Sequence, residues 1–167
     1  DVSLQSGTRM QKVIRDLLDY SRIGTSSIPM ETISLLDAGE EAMLKLSLII
    51  EETGSTVDLP DFLPDVTADR SQIVQLFQNL ISNAMKYQSS GRLPKVRIAV
   101  IDRSSEWVVR VVDNGIGIDP SDQSRIVGIF QRLHGRSAYP GTGMGLAICR
   151  KIVERHHGRI WLESELN

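Results

Sequence analysis

Residues 70–86 have to serve two environments at once, and that constrains the fold more than any other stretch. At about 100° per residue, Asn79, Asn83 and Lys86 fall within an arc of roughly 60° on a helix, with Leu76, Phe77, Leu80, Ile81 and Ala84 expected opposite. One side enters a core, while two carboxamides and an ammonium face something polar. Amide oxygens are hard, neutral ligands suited to a Mg²⁺ that keeps waters and phosphates in its shell. An ammonium suits the phosphates themselves. Asp69 stands where an N-cap for this helix belongs.

Two glycine-rich segments follow, DNGIGID at 113–119 and GTGMGLA at 141–147. Glycines at the start of a helix let backbone N–H groups approach phosphate oxygens without a Cβ in the way, and the helix N-terminus adds favourable partial charge. Gly141, Gly143 and Gly145 meet that description, although glycines that only turn a loop look the same. GxxxxGK[ST] is absent, and neither segment has the strand–GxGxxG–helix context of a dinucleotide fold. Asp113, at the end of a strand, is suited to accept a hydrogen bond from an exocyclic amine, with Gly115 and Gly117 letting a flat base lie on the backbone. An Asx turn is the alternative reading of Asp113.

Around these motifs the chain alternates irregularly. A helix over about 2–23 carries Met10, Val13, Ile14, Leu17 and Leu18 at three- and four-residue steps, with Ile23 a candidate further member at its end, and stops at Gly24. Residues 24–29 read as a linker, 30–34 as a short strand, 36–53 as a helix ending at Gly54, and 55–59 and 65–67 as strands. Residues 95–102 and 107–113 flank a DRSSE turn as an antiparallel hairpin. Asp119-Pro120 opens a helix over 120–129, 131–140 is irregular, and a last helix over about 143–156 ends at Gly158 before a strand at 159–163. This order predicts an α+β fold, a two-layer sandwich of a mixed sheet covered by helices, preceded by one amphipathic helix.

The 167 residues are 41% hydrophobic and 24% charged, as in an ordinary globular domain. A net charge of −2 with dispersed basic residues argues against nucleic acid and against an anionic membrane surface. The single cysteine, Cys149, lies in an apolar helical stretch, which fits a buried small hydrophobe and a reducing cytoplasm. No run reaches the ~18 apolar residues of a membrane span, so no membrane contact is expected. His156 and His157 are placed to satisfy a helix C-terminus, and a metal site with Cys149 is not expected.

The order NLISNAMKY (79–87), DNGIGID (113–119), IVGIFQRLH (126–134) and GTGMGLA (141–147) resembles the N, G1, F and G2 boxes of sensor histidine kinases. Those kinases share the Bergerat-type ATP-binding fold with gyrase, MutL and the ninety-kilodalton heat-shock chaperone. The stretch 132–161 is most similar to kinases with phytochrome-like or PAS-type sensors. The resemblance implies that Asn83 ligates Mg²⁺, Asn79 supports it and Lys86 contacts phosphate, these three being the catalytic set. It implies that Tyr87 packs near the base, that Asp113 receives the adenine amino group, and that Gly115, Gly117 and Ile118 shape the base pocket. Gly141, Thr142, Gly143, Met144, Gly145 and Leu146 would wrap the phosphates, Phe130 would anchor a lid, and Arg132 and His134, with Arg136, would reach in on closure.

Related ATPases commonly have a glutamate in place of Asn79, and an amide cannot act as their general base. Asn79 therefore favours transfer to a protein over hydrolysis. The stretch 7–23 resembles the second helix of the kinases' dimerisation hairpin, so residues 1–24 are expected to be part of that hairpin, 25–29 a linker and 30–167 the ATP-binding domain. The acceptor histidine would lie on a helix absent from this chain, since His134, His156 and His157 fit no acceptor motif. Both ends read as cut, the second within the domain's C-terminal strands. A second protomer and a response-regulator receiver domain are the implied partners, and autophosphorylation of this chain alone is not expected.

Overall fold

The computed structural model describes residues 2–126 and 141–166. Phe130, Arg132, His134 and Arg136 lie outside the described residues. The chain forms two compact units, one of residues 28–117 with 166–167 and one of residues 1–27 with 118–165.

The first unit is α+β. Strand β1 (Glu31–Ser34) pairs antiparallel with β3 (Asp65–Ala68). A second, mixed sheet has the order β2-β4-β5, in which β2 (Thr56–Asp58) runs parallel to β4 (Lys95–Asp102) and β4 runs antiparallel to β5 (Trp107–Asp113). The hairpin matches its expected limits because its turn is encoded locally. Asp102 Oδ1 accepts the Ser104 N–H at 2.8 Å, Arg103 N–H donates to Glu106 O at 3.0 Å, and Ser104 takes φ 67°.

Helices α2 (Leu35–Lys45) and α4 (Arg70–Lys86) pack together, and α4 lies on β4 and β5. The expected single helix over 36–53 is two, because the chain turns at Leu46 (φ −96°, ψ 1°) before α3 (Ser47–Thr53). That turn carries Leu46 into the core while Leu44 and Leu48 stay exposed. Gly54 ends α3 in the left-handed region, φ 62°, as its position suggests.

Asp69 caps α4, its Oδ1 accepting from Ser71 N, Ser71 Oγ and Gln72 N. Phe77, Ile81 and Ala84 are buried with Ile73, Val74 and Met85. Leu76 and Leu80, expected on the same side, are only half-buried, because they stand about 60° and 100° round the helix from Asn79. Glu41 on α2 meets Lys45 at 3.0 Å and Arg70 at 2.9 Å. The bond from Lys45, then that from Arg70, holds its carboxyl below the usual range.

In the other unit α1 (Val2–Thr25) packs on α5 (Gly145–Arg155). Thr25, whose hydroxyl donates to Ser21 O or Arg22 O, extends α1 one residue past Gly24. The contact face holds Tyr20 under the Lys151 ammonium at 4.0 Å, buried Ile23, and Ser26, whose carbonyl accepts from Arg155 Nη2 at 3.3 Å. Met10, Ile14, Leu17 and Leu18 remain 66, 51, 41 and 49% exposed. Cys149 is buried in α5, and His156 closes that helix with Nδ1 donating to Ile152 O at 2.7 Å.

Two expected elements do not form among the described residues, which leave out 127–129 of the first. Residues 120–126 make successive turns in place of a helix, with Asp122 N–H donating to Asp119 O and Arg125 N–H to Asp122 O. These are three-residue closures, begun where the Ser121 hydroxyl and N–H both bond to Asp119 Oδ1 and hold its carboxyl below the usual range. Residues 159–163 form no ladder among the described residues. Arg159, Trp161 and Glu163 do meet at two-residue steps, the guanidinium 5.5 Å from the indole and the indole N–H 3.1 Å from Glu163 Oε1. That is extended chain, and periodicity cannot supply the neighbour that makes it a strand.

Candidate functional site

The first unit joins the end of α4 to the segment after β5. Tyr87, the residue at the C-cap of α4, accepts the Ile116 N–H on its carbonyl at 3.0 Å. Lys86 Nζ lies 4.9 Å from the Tyr87 ring centroid. Asn83 and Asn79 stand about 6 and 12 Å back from Tyr87 along the helix, at 1.5 Å per residue. Lys86, Tyr87, Gly115 and Ile116 are thus brought together, with the two asparagines on the turns before them. Asn79 Nδ2 is buried and has no hydrogen-bond partner among the described residues. Such a group costs about 1–3 kcal/mol when left unpaired.

Asp113 makes the Asx turn that its sequence context allowed. Its Oδ1 accepts the Gly115 N–H at 2.7 Å, while Oδ2 carries no hydrogen bond among the described residues. The turn and a ligand role are therefore compatible, one oxygen for each. Gly115 has a different reason to be glycine from the one expected. A Cβ there would collide with the Tyr87 carbonyl and lie 2.6 Å from Asp113 Oδ1, so the close approach is to α4 itself. Gly117 is glycine for its backbone, φ 74°.

Ile118 and the second glycine segment belong to the other unit. The Ile118 N–H donates to Ser164 Oγ at 2.9 Å. Gly141 and Gly143 take φ 151° and 79°. Thr142 donates its hydroxyl to Asp16 Oδ2 on α1, and Thr142 Oγ1 itself accepts the Met144 N–H at 3.4 Å. Met144 is fully buried and precedes Gly145, the first residue of α5, with Leu146 half-buried beside it. Among the described residues no cluster of histidine, cysteine and acidic side chains forms a metal site.

Sequence reasoning passed over Asn114 and Asp16. Asn114 Oδ1 accepts the Lys95 N–H at 2.8 Å, its Nδ2 donates to Leu93 O at 3.1 Å, and its carbonyl accepts from Arg92 Nη1 at 2.9 Å. Its place inside DNG was the available signal for Asn114. For Asp16 there was none, because its partner lies 126 positions away.

A helix with a polar stripe, joined at its end to an aspartate-glycine turn at a strand terminus, belongs to a domain of the α+β class. Residues 68–167 match the family described as histidine kinase-, DNA gyrase B-, and HSP90-like ATPase, and the chain belongs to that family. It is 48% identical over 157 residues to cyanobacterial phytochrome A of Nostoc sp., covering 94% of this chain and 20% of that protein. It is 43% identical over 164 residues to phytochrome-like protein Cph1 of Synechocystis sp., covering 98% and 22%. The chain thus spans about a fifth of the length of these relatives. The solved catalytic domain of histidine kinase ThkA superposes with a TM-score of 0.66 at 27% identity, covering 80% of this chain and 86% of that one. This chain therefore carries an ATP-binding catalytic domain of the histidine kinase type.

Proposed function

We propose that this domain moves the γ-phosphoryl group of Mg-ATP to a histidine on a helix outside this sequence, from which a response-regulator aspartate receives it. The observation that carries the base site is Asp113, where the Asx turn uses Oδ1 and leaves Oδ2 for the adenine amino group. The orphaned Asn79 Nδ2 fits the phosphate side, since a phosphate oxygen is an acceptor of the kind it lacks. Asn83 would hold Mg²⁺ through its neutral carboxamide oxygen, with Asn79 in support. When bound, Mg²⁺ supplies positive charge that offsets charge developing on the phosphoryl oxygens.

Within this chain the residues orient and neutralise. Lys86 offers an ammonium to the phosphates, and Tyr87 places its ring beside the base. Gly115, Gly117 and Ile118 shape the base pocket, and the 141–146 backbone wraps the phosphates. Phe130, Arg132 and His134 are assigned to the lid. Neither Asn79 nor Asn83 can act as a carboxylate base toward water, so transfer by positioning and charge stabilisation is favoured over hydrolysis.

Residues 1–24 are assigned to the dimerisation hairpin, 25–29 to a linker and 30–167 to the catalytic domain. The exposed stripe Met10, Ile14, Leu17 and Leu18 supports a helical bundle with the histidine-bearing helix and a second protomer. We assign the domain to the cytoplasm, where ATP and the receiver domain are available. Calorimetric titration with ADP, with and without Mg²⁺, tests the reading. Saturable, Mg²⁺-strengthened binding that weakens at least about tenfold in Asp113→Asn, the scale of one charge-assisted hydrogen bond, is expected. No binding by a folded chain overturns it.

A further inference from the structure

The last ladder pair of the hairpin is Val96 with Asp113. Beyond it β5 ends, and a terminal residue in that position would fray. Asn114 instead turns its carboxamide to the start of the opposite strand, accepting from the Lys95 N–H and donating to the carbonyl of Leu93, two residues before β4. One acceptor and one donor in a plane reproduce what a peptide group offers. The side chain therefore continues the β4–β5 ladder past Asp113. Arg92 adds a third tie by donating to the Asn114 carbonyl. On the far side, the Ile116 N–H is held by the Tyr87 carbonyl.

We propose that Asn114 is a positioning residue for base recognition, fixing the backbone at Asp113 so that Oδ1 closes the turn and Oδ2 is held toward an exocyclic amine. This rests on the reading of Asp113 given above. Alanine, serine and leucine lack a planar donor-acceptor pair. The three bonds of Asn114 are exposed to solvent, so water can replace them in the folded chain. Their loss should cost orientation more than stability.

The test compares ADP with inosine diphosphate, which has an oxygen where ADP has the exocyclic amine, by calorimetric titration of the full chain. Wild type is expected to prefer ADP about tenfold or more, and Asp113→Asn to abolish the preference. Asn114→Ala is expected to weaken ADP about tenfold while changing inosine diphosphate by less than about twofold, so the ratio collapses with the melting temperature nearly unchanged. Asn114→Ser, which keeps only one short polar atom, is expected to behave alike and serves if the alanine variant does not fold. A folded Asn114 variant that keeps the wild-type ratio overturns the proposal, as does an equal loss for both nucleotides, which marks a merely structural role. If wild type shows no preference, or Asp113→Asn leaves the ratio intact, the base-site reading fails and this inference fails with it.

Discussion

Gly115 and Gly143 stand in segments of similar composition, yet the structure needs them for different reasons. Gly115 is glycine because a carbonyl from α4 occupies the space a side chain would fill. Gly143 is glycine because its φ of 79° disfavours any other residue. The segment around Asp113 is held by its own turn, by Arg92, Leu93 and Lys95 through Asn114, and by the end of α4. The 141–144 segment is held by Asp16 on α1. The first is therefore a property of the nucleotide domain's own sheet and helix, whereas the second depends on the helix we assign to dimerisation.

Replacing the two glycines is the sharpest way to break this contrast. Gly115→Ala sets a Cβ against backbone that cannot move independently of α4, and should cost about 3 kcal/mol or more. Gly143→Ala meets backbone strain alone and should cost about 1–2 kcal/mol. Urea unfolding measures both, and the reverse order would end the distinction.

Asp69→Ala removes a cap that is 1% exposed and accepts from three donors. A loss of about 1–2 kcal/mol is expected, with faster amide exchange in the first turn of α4 and little change at 141–144. Equal loosening of both segments would mean that they share one cooperative unit.

Thr142→Val should cost about 0.5–1.5 kcal/mol. Paired with Asp16→Ala it should give less than the sum of the single effects, because both remove one bond. Strict additivity would sever α1 from the glycine loop.

The smallest effect concerns Glu41. Its folded pKa is lowered, so its contribution is present above the unfolded value, near 4.5, and fades as pH falls through the folded one. Wild type should melt slightly above Glu41→Gln at pH 7, and the two should converge once the pH has fallen through the folded value, and in high salt. A difference that persists in acid would assign the effect to packing.

Local chemistry made much of this molecule legible. The hairpin limits, the Asp69 cap and the Gly54 stop depend on bonds within a few residues, and each appears where the sequence puts it. The break at Leu46 was not legible, because burying that side chain depends on neighbours outside the helix. The same holds for 159–163, which has a strand's periodicity without a ladder among the described residues. On α1 the apolar pattern marked a helix correctly, but of its members Ile23 is the one buried, with Tyr20 reaching Lys151 of α5, while Met10, Ile14, Leu17 and Leu18 stay exposed.

By itself the sequence determined the α+β class, the polar stripe on α4 and the four ordered motifs, because periodicity, caps and spacing act over a few residues. The tertiary structure decided why Gly115 is glycine, what Asn114 grips and which carboxylate holds Thr142. Each of those depends on an atom contributed from a distant part of the chain, and only the folded register brings it within reach.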